Sequence, residues 1–141
     1  MCIRDSIKAL LYARLAGERA LDQLAPDEAV RWFTTAIDLI AQHPSFDAGQ
    51  RCPLLVGLGN AQRQVGIPQY RQTLLDCAAL AQEIGDTTAL VSAALANNRG
   101  IMSSLAAADE DRIGVLRAAL EAVGTGDSPE RAKLLLSLIH I

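Results

Sequence analysis

Breaks in the chain, more than any motif, limit what it can become. Gly, Pro and short acidic or hydroxyl clusters interrupt it every 13 to 20 residues or so, and the segments between them carry apolar residues at helical rather than alternating spacing. Each segment is long enough for one helix and too short to build a core alone. Ala36, Ala78 and Ala118 recur at similar places in alternate segments, at a step of roughly 40 residues. Steps of that size belong to helical hairpins stacked on one another, because a single hairpin cannot bury its own apolar face. The expected fold is therefore all-α.

Composition agrees. Half of the residues are hydrophobic but only 4% are aromatic, and Ala and Leu supply most of the apolar mass. Both have high helix propensity, and Ala lets helix axes approach closely. Val and Ile are scattered, so strands have little support. No apolar run nears the roughly 20 residues of a membrane-spanning helix, and no membrane contact is expected. The formal charge of −3 carries no basic footprint for nucleic acid.

Helix signals divide the chain as follows. A first helix is expected over residues 8–24, with Leu10, Leu11, Leu15 and Ala20 recurring at helical spacing. Pro26-Asp27-Glu28 restarts a second, reaching Gln42 with Ala29, Phe33, Ala36, Ile37 and Ile40 on one face, and His43-Pro44-Ser45 stops it. Residues 46–50 read as a polar connection, followed by a third helix from Pro53 to Val65, ended by Gly66. A fourth spans residues 69–84, with Leu74, Leu75, Ala78, Ala81 and Ile84 inward, and Gly85 closes it. Thr87 or Thr88 caps a fifth, reaching Arg99-Gly100. Asp109-Glu110-Asp111 opens a sixth through Val123, and Ser128-Pro129-Glu130 a seventh.

The two ends share one origin. Leu136 to Ile141 would be encoded by CTG TCT CTT ATA CAC ATC, and the reverse complement of that DNA, read from its ATG, gives Met1-Cys2-Ile3-Arg4-Asp5 and the start of a codon compatible with Ser6. The element resembles a transposon adapter used to prepare sequencing libraries. Residues 1–6 and 136–141 are thus expected to be adapter-derived, and 7–135 to be an interior slice of a longer chain. On that reading the terminal hairpins lack their stacking neighbours, and the chain is expected to be marginally stable and to self-associate through its ends.

Within the first hairpin, Gly17, Ala29, Phe33 and Ala36 fall at the spacing of the tetratricopeptide motif; Leu58, Gly59 and Ala78 repeat part of it, with Arg71 where a small residue belongs. The chain resembles a degenerate tetratricopeptide array, which implies a right-handed α-solenoid of hairpins. The strings Tyr12-Ala13-Arg14-Leu15-Ala16-Gly17, Leu24-Ala25-Pro26-Asp27-Glu28-Ala29, Leu58-Gly59-Asn60-Ala61-Gln62-Arg63 and Asp127-Ser128-Pro129-Glu130-Arg131-Ala132 resemble the helical region after the ATPase module of large actinobacterial regulators of the LuxR/MalT-like class, some of them cyclase-linked. That resemblance implies a bacterial, cytoplasmic signalling or transcription regulator, with the ATPase and output domains outside this segment. The function expected here is a non-catalytic scaffold binding a protein, a peptide or other domains of its own chain. The alternatives are an accessory helical domain of an unrelated enzyme and a free-standing repeat adaptor.

Few residues invite a chemical role. Gly57-Leu58-Gly59 lacks the third glycine of a dinucleotide loop and lies inside a helix with no preceding strand, so helix packing is the expected role. Gly124-Thr125-Gly126 lacks the Lys of a phosphate loop. No cofactor or metal is expected: Asp109-Glu110-Asp111 reads as an acidic helix start, without calcium-loop spacing. His43 reads as a helix end whose side chain meets exposed carbonyls, with no nucleophile tied to it. Cys52, ahead of a helix, and Cys77, on an apolar face, read as small buried hydrophobes. Asn97-Asn98-Arg99 is the unusual cluster, because consecutive Asn disfavours a helix interior. It is either a helix end closed by Gly100 or, with Asn60 and Gln64, an amide-rich concave face for a partner. Trp32 is a partly buried staple or a contact for another domain.

Overall fold

A computed structural model describes residues 3–44, 46–97 and 109–139. These form seven α-helices and, among the described residues, no strand: α1 (Ile3–Asp22), α2 (Pro26–Gln42), α3 (Ala48–Val65), α4 (Tyr70–Ile84), α5 (Thr87–Ala96), α6 (Glu110–Val123) and α7 (Pro129–Ile139). Each helix packs on its sequence neighbour, and α3, α5 and α7 also touch α1, α3 and α5 in turn, as α6 touches α4.

Local chemistry sets most boundaries. Pro26 stands at the start of α2 with Asp27 and Glu28 in the first turn, where a fixed φ and negative charge both suit the helix. Gly66 and Gly85 end α3 and α4 in the left-handed region, at φ 88° and 75°, each returning its N–H to carbonyls of the last turn. Asp109 caps α6 through Arg112 N, and Ser128 Oγ accepts from Arg131 N at the head of α7.

Three boundaries differ from expectation. The third helix starts at Ala48 rather than Pro53, because Asp47 accepts from Gly49 N and begins the helix earlier, which places Pro53 inside it. Cys52 consequently lies within α3, not ahead of it. The fifth helix is capped by Asp86, whose carboxylate accepts from Ala89 N, and not by either Thr; it ends at Ala96, with Asn97 as the C-cap. The first helix begins at Ile3 and ends at Asp22. Ala13, Gly17 and Ala20 face inward, while Leu11 and Leu15 are more than half exposed. Small residues, rather than large ones, form the contact because α2 approaches closely.

The core is built on that closeness. Phe33 of α2 is buried between two glycines: a Cβ on Gly17 would sit 3.0 Å from its ring, and one on Gly57 as little as 2.5 Å. A Cβ on Gly59 would come within 2.6 Å of Leu74 of α4. Gly57 and Gly59 therefore serve helix packing. One buried cluster joins Phe33 and Ala36 to Ala13, Ala20, Ala29, Leu54 and Ala61; a second runs from Cys52 through α4 and α5 to Leu116, Ala119 and Leu134. On α4, Leu74, Ala78 and Ala81 are buried as expected, Leu75 is half-buried and Ile84 is exposed. Ala36 and Ala78 are fully buried, but on α6 the corresponding residue is Ala119, one place after Ala118.

Candidate functional site

The residues singled out in the sequence fall in two separate places. The first is the seam between α3 and α5. Asn60 is half-buried and Gln64 exposed, on the C-terminal half of α3. Between them in sequence, Arg63 Nη1 reaches across to donate to Ala96 O at 3.0 Å, which ties this part of α3 to the C-terminus of α5. A guanidinium there meets carbonyls that the helix leaves unsatisfied. Asn97 follows directly and is buried; its N–H returns to Ala93 O, while its side-chain Oδ1 has no hydrogen-bond partner among the described residues. A buried acceptor left unsatisfied costs about 1–3 kcal/mol. Asn98 and Arg99 lie outside the described residues.

The second place is the outer side of α1 and α2. Trp32 is half-buried and meets the Tyr12 ring edge-on, with centroids 5.4 Å apart. Two clefts adjoin it. One, of about 300 Å³, is lined by residues of α1 and α2 including Tyr12, Leu15, Arg19 and Glu28; the other, of about 370 Å³, by Glu28, Arg31 and Thr35.

Two interactions were not legible beforehand. Arg71, conspicuous only because a small residue was expected there, forms a two-pronged ion pair with Asp109, at 2.9 and 2.7 Å, and also reaches Asp111 at 3.1 Å. The Arg71 guanidinium lowers the Asp109 carboxyl below its ordinary value, against the opposing effect of burial. The acidic head of α6 thus serves as a helix cap and as an anchor for α4. Nothing in the sequence pairs residues 38 apart, although an arginine out of place in a repeat is the signal that it has found another partner.

His43 also differs from expectation. Its backbone N–H closes α2 onto Ile40 O, but its ring pairs with Ser6 Oγ at 3.0 Å and packs edge-on against Phe46, rather than meeting helix carbonyls. Cys52 and Cys77 are free and fully buried, with Cys77 Sγ 3.5 Å from Cys52 O. Burial, reinforced by the nearby Cys52, pushes the Cys77 thiol up to about 12, and burial also raises Cys52. Such thiols are neutral and weak nucleophiles at ordinary pH. Among the described residues no group of three or more His, Cys, Asp or Glu side chains could hold a metal ion, and no helix is long and apolar enough to cross a membrane.

No family model, no curated protein and no solved structure matches the chain in comparison.

Proposed function

We propose that this chain is a non-catalytic helical scaffold, a right-handed solenoid of tetratricopeptide-like hairpins that presents side-chain amides to a protein, a peptide or another domain. The observation that carries the reading is the α3–α5 seam. There the Arg63 bond to Ala96 O holds the turn of Asn60 and Gln64 against the end of α5, where the buried Asn97 Oδ1 has no partner among the described residues. An extended peptide offers a backbone N–H and C=O at every second residue on one side, groups that the half-buried Asn60 and exposed Gln64 amides can pair with. The pattern of helix contacts, each helix meeting its neighbour and several their next-but-one, supports stacked hairpins. The resemblance of the Leu24-Ala25-Pro26-Asp27-Glu28-Ala29 and Asp127-Ser128-Pro129-Glu130 strings extends the proposal to a place in a bacterial, cytoplasmic ATP-dependent regulator of the LuxR/MalT-like class.

The test follows the side-chain amides of Asn60, Gln64 and Asn97 by nuclear magnetic resonance while a panel of extended peptides is titrated in. Saturable shifts confined to these amides and to Arg63 support the scaffold reading. Shifts elsewhere only, or none with any peptide, reject it.

A further inference from the structure

Two thiols face each other inside the second hairpin. Contacts along the α3–α4 seam run in antiparallel order outward from the turn. Gln62 Oε1 accepts from Thr73 Oγ1 at 2.7 Å, a Cβ on Gly59 would lie 2.6 Å from Leu74, and beyond these Cys52 meets Cys77. The turn at residues 66–69 ties the two helices at one end, and the cysteines stand away from it. Both are free and have no solvent exposure. Cys77 Sγ lies 3.5 Å from Cys52 O, and its S–H also reaches the Cys52 sulfur.

A disulfide between two helices needs their backbones unusually close. Small residues provide that here: Gly59 leaves no room for a Cβ against Leu74, and Ala78 and Ala81 of α4 are buried in the same cluster as both cysteines. Closing the bond removes two hydrogens and draws the sulfurs together, so it asks for no new space. A bridging metal ion would have to be inserted into a packed seam, which disfavours the pair as a soft-metal site. The two thiols also differ. Burial raises both and Asp86 adds to it, but at Cys52 the hydrogen bond from Cys77 and the charge of Arg51 oppose the rise. At Cys77 every neighbour adds to it. Cys52 is therefore the readier nucleophile, and Cys77 is placed to resolve it.

We infer that Cys52 and Cys77 form a redox lock, closed by hydrogen peroxide into a disulfide that ties α3 to α4. In the first step the Cys52 sulfur attacks a peroxide oxygen. The O–O bond breaks, an S–O bond forms, and the hydroxide released takes the thiol proton and leaves as water, giving a sulfenic acid. In the second step the Cys77 sulfur attacks the Cys52 sulfur. The S–S bond forms, the S–O bond breaks, and the Cys77 proton leaves with that oxygen as a second water. The two thiols lose two electrons and the peroxide gains them. Because both thiols are buried, each closure waits for the seam to open locally, so the lock responds to sustained oxidant rather than to a brief pulse. Once formed, the bond closes the loop from residue 52 to residue 77 and stabilises the folded hairpin by restricting the unfolded chain.

The test uses the full chain carrying Cys2→Ser, since Cys2 lies outside the described residues and would supply a third thiol. The dilute protein is held in excess hydrogen peroxide for several hours beside an unstructured cysteine peptide, and remaining thiols are alkylated. Trypsin then separates Cys52, in residues 52–63, from Cys77, in residues 72–99. The expected product is these two peptides joined, lighter by two hydrogens than their sum, with no cross-link between molecules. The urea midpoint of the oxidised chain is expected to rise by at least about 1 M and to return with dithiothreitol. Cys52→Ser and Cys77→Ser, their helicity checked by circular dichroism, should show no such rise under the same treatment, which separates the lock from methionine oxidation. Cysteines that stay reduced while the peptide oxidises, that pass to sulfonic acids, or that cross-link between molecules overturn the inference. So does a disulfide that lowers the midpoint, which would mean that the folded seam does not accommodate it. None of these readouts involves the side-chain amides of the α3–α5 seam, so the scaffold reading stands or falls separately.

Discussion

At the scale of single residues, glycine carries opposite meanings in different helices. Gly57 lies inside α3 where any Cβ would drive into the buried Phe33 ring, so Gly57→Ala is expected to destabilise the chain by about 1–3 kcal/mol through overpacking. Gly114 is also helical, but nothing lies within 4 Å of a Cβ built there. Gly114→Ala should therefore stabilise α6 by roughly 0.5–1 kcal/mol, the ordinary gain when Ala replaces Gly in a helix interior. Urea denaturation of the two variants beside the parent chain checks both signs; a neutral or stabilising Gly57→Ala would mean that the ring is not held as described. The same contrast explains which face α1 buries. Of the residues that recur at helical spacing in α1, Ala20 is buried while Leu11 and Leu15 are more than half exposed, and Ala13, Gly17 and Ala20 make the contact. Size and hydropathy are visible in a sequence, whereas the distance between two helix axes is not.

At the scale of elements, starts and stops were legible wherever one residue type does the job alone. Pro26, Asp109, Ser128, Gly66 and Gly85 all mark the ends they were expected to mark. Misreadings arose where two candidates competed, Asp86 against Thr87 and Thr88, and Asp47 against Pro53. In both cases the aspartate took the cap: it is a better acceptor than Thr, and Pro has no side-chain acceptor at all. The Arg71–Asp109 link was invisible because a repeat motif describes what each position packs against, not which long side chain crosses to the next helix. This link has a pH signature. Asp109 is lowered in the folded chain, so its contribution is complete above the ordinary carboxylate value of about 4 and is lost as the pH falls through the lowered one. Asp109→Asn keeps a cap acceptor but removes the charge. It is expected to cost about 1 kcal/mol at pH 7, and the gap from the parent chain should narrow steadily from about pH 4 downward. Parallel stability curves for the two proteins over that range would show that Asp109 contributes as a cap alone.

At the scale of the whole molecule, all-helical character was legible, since periodicity and composition point the same way. The candidate surfaces were legible only as residue types: Asn60, Gln64 and Asn97 drew attention as amides and Trp32 as an aromatic, but their division between two separate places depends on the packing of α3 with α5 and of α1 with α2. The far end of the molecule adds an expectation of its own. Leu136 and Ile139 are 55% and 74% exposed on α7, close to the half-exposed Leu135. Such a patch favours association. Sedimentation velocity should show a weight-average size that rises with concentration, and Leu136→Ser with Ile139→Ser should shift the onset to at least about tenfold higher concentration. An unchanged onset would place the association elsewhere.

Phe33 has a further consequence, for how a chain of this kind can be cut and rejoined. Its ring belongs to the first hairpin by covalent connection but is enclosed by Gly17 on one side and Gly57 on the other. The covalent boundary between hairpins and the boundary between packing units therefore do not coincide. A duplication or recombination event with its crossover in the turn between α2 and α3 would inherit the ring with half of its socket. The exchangeable piece is the three-helix span from α1 through α3, so gains and losses of hairpins that leave Phe33 seated should bring a glycine in at the place of Gly57, or trade the ring for a smaller side chain in the same step.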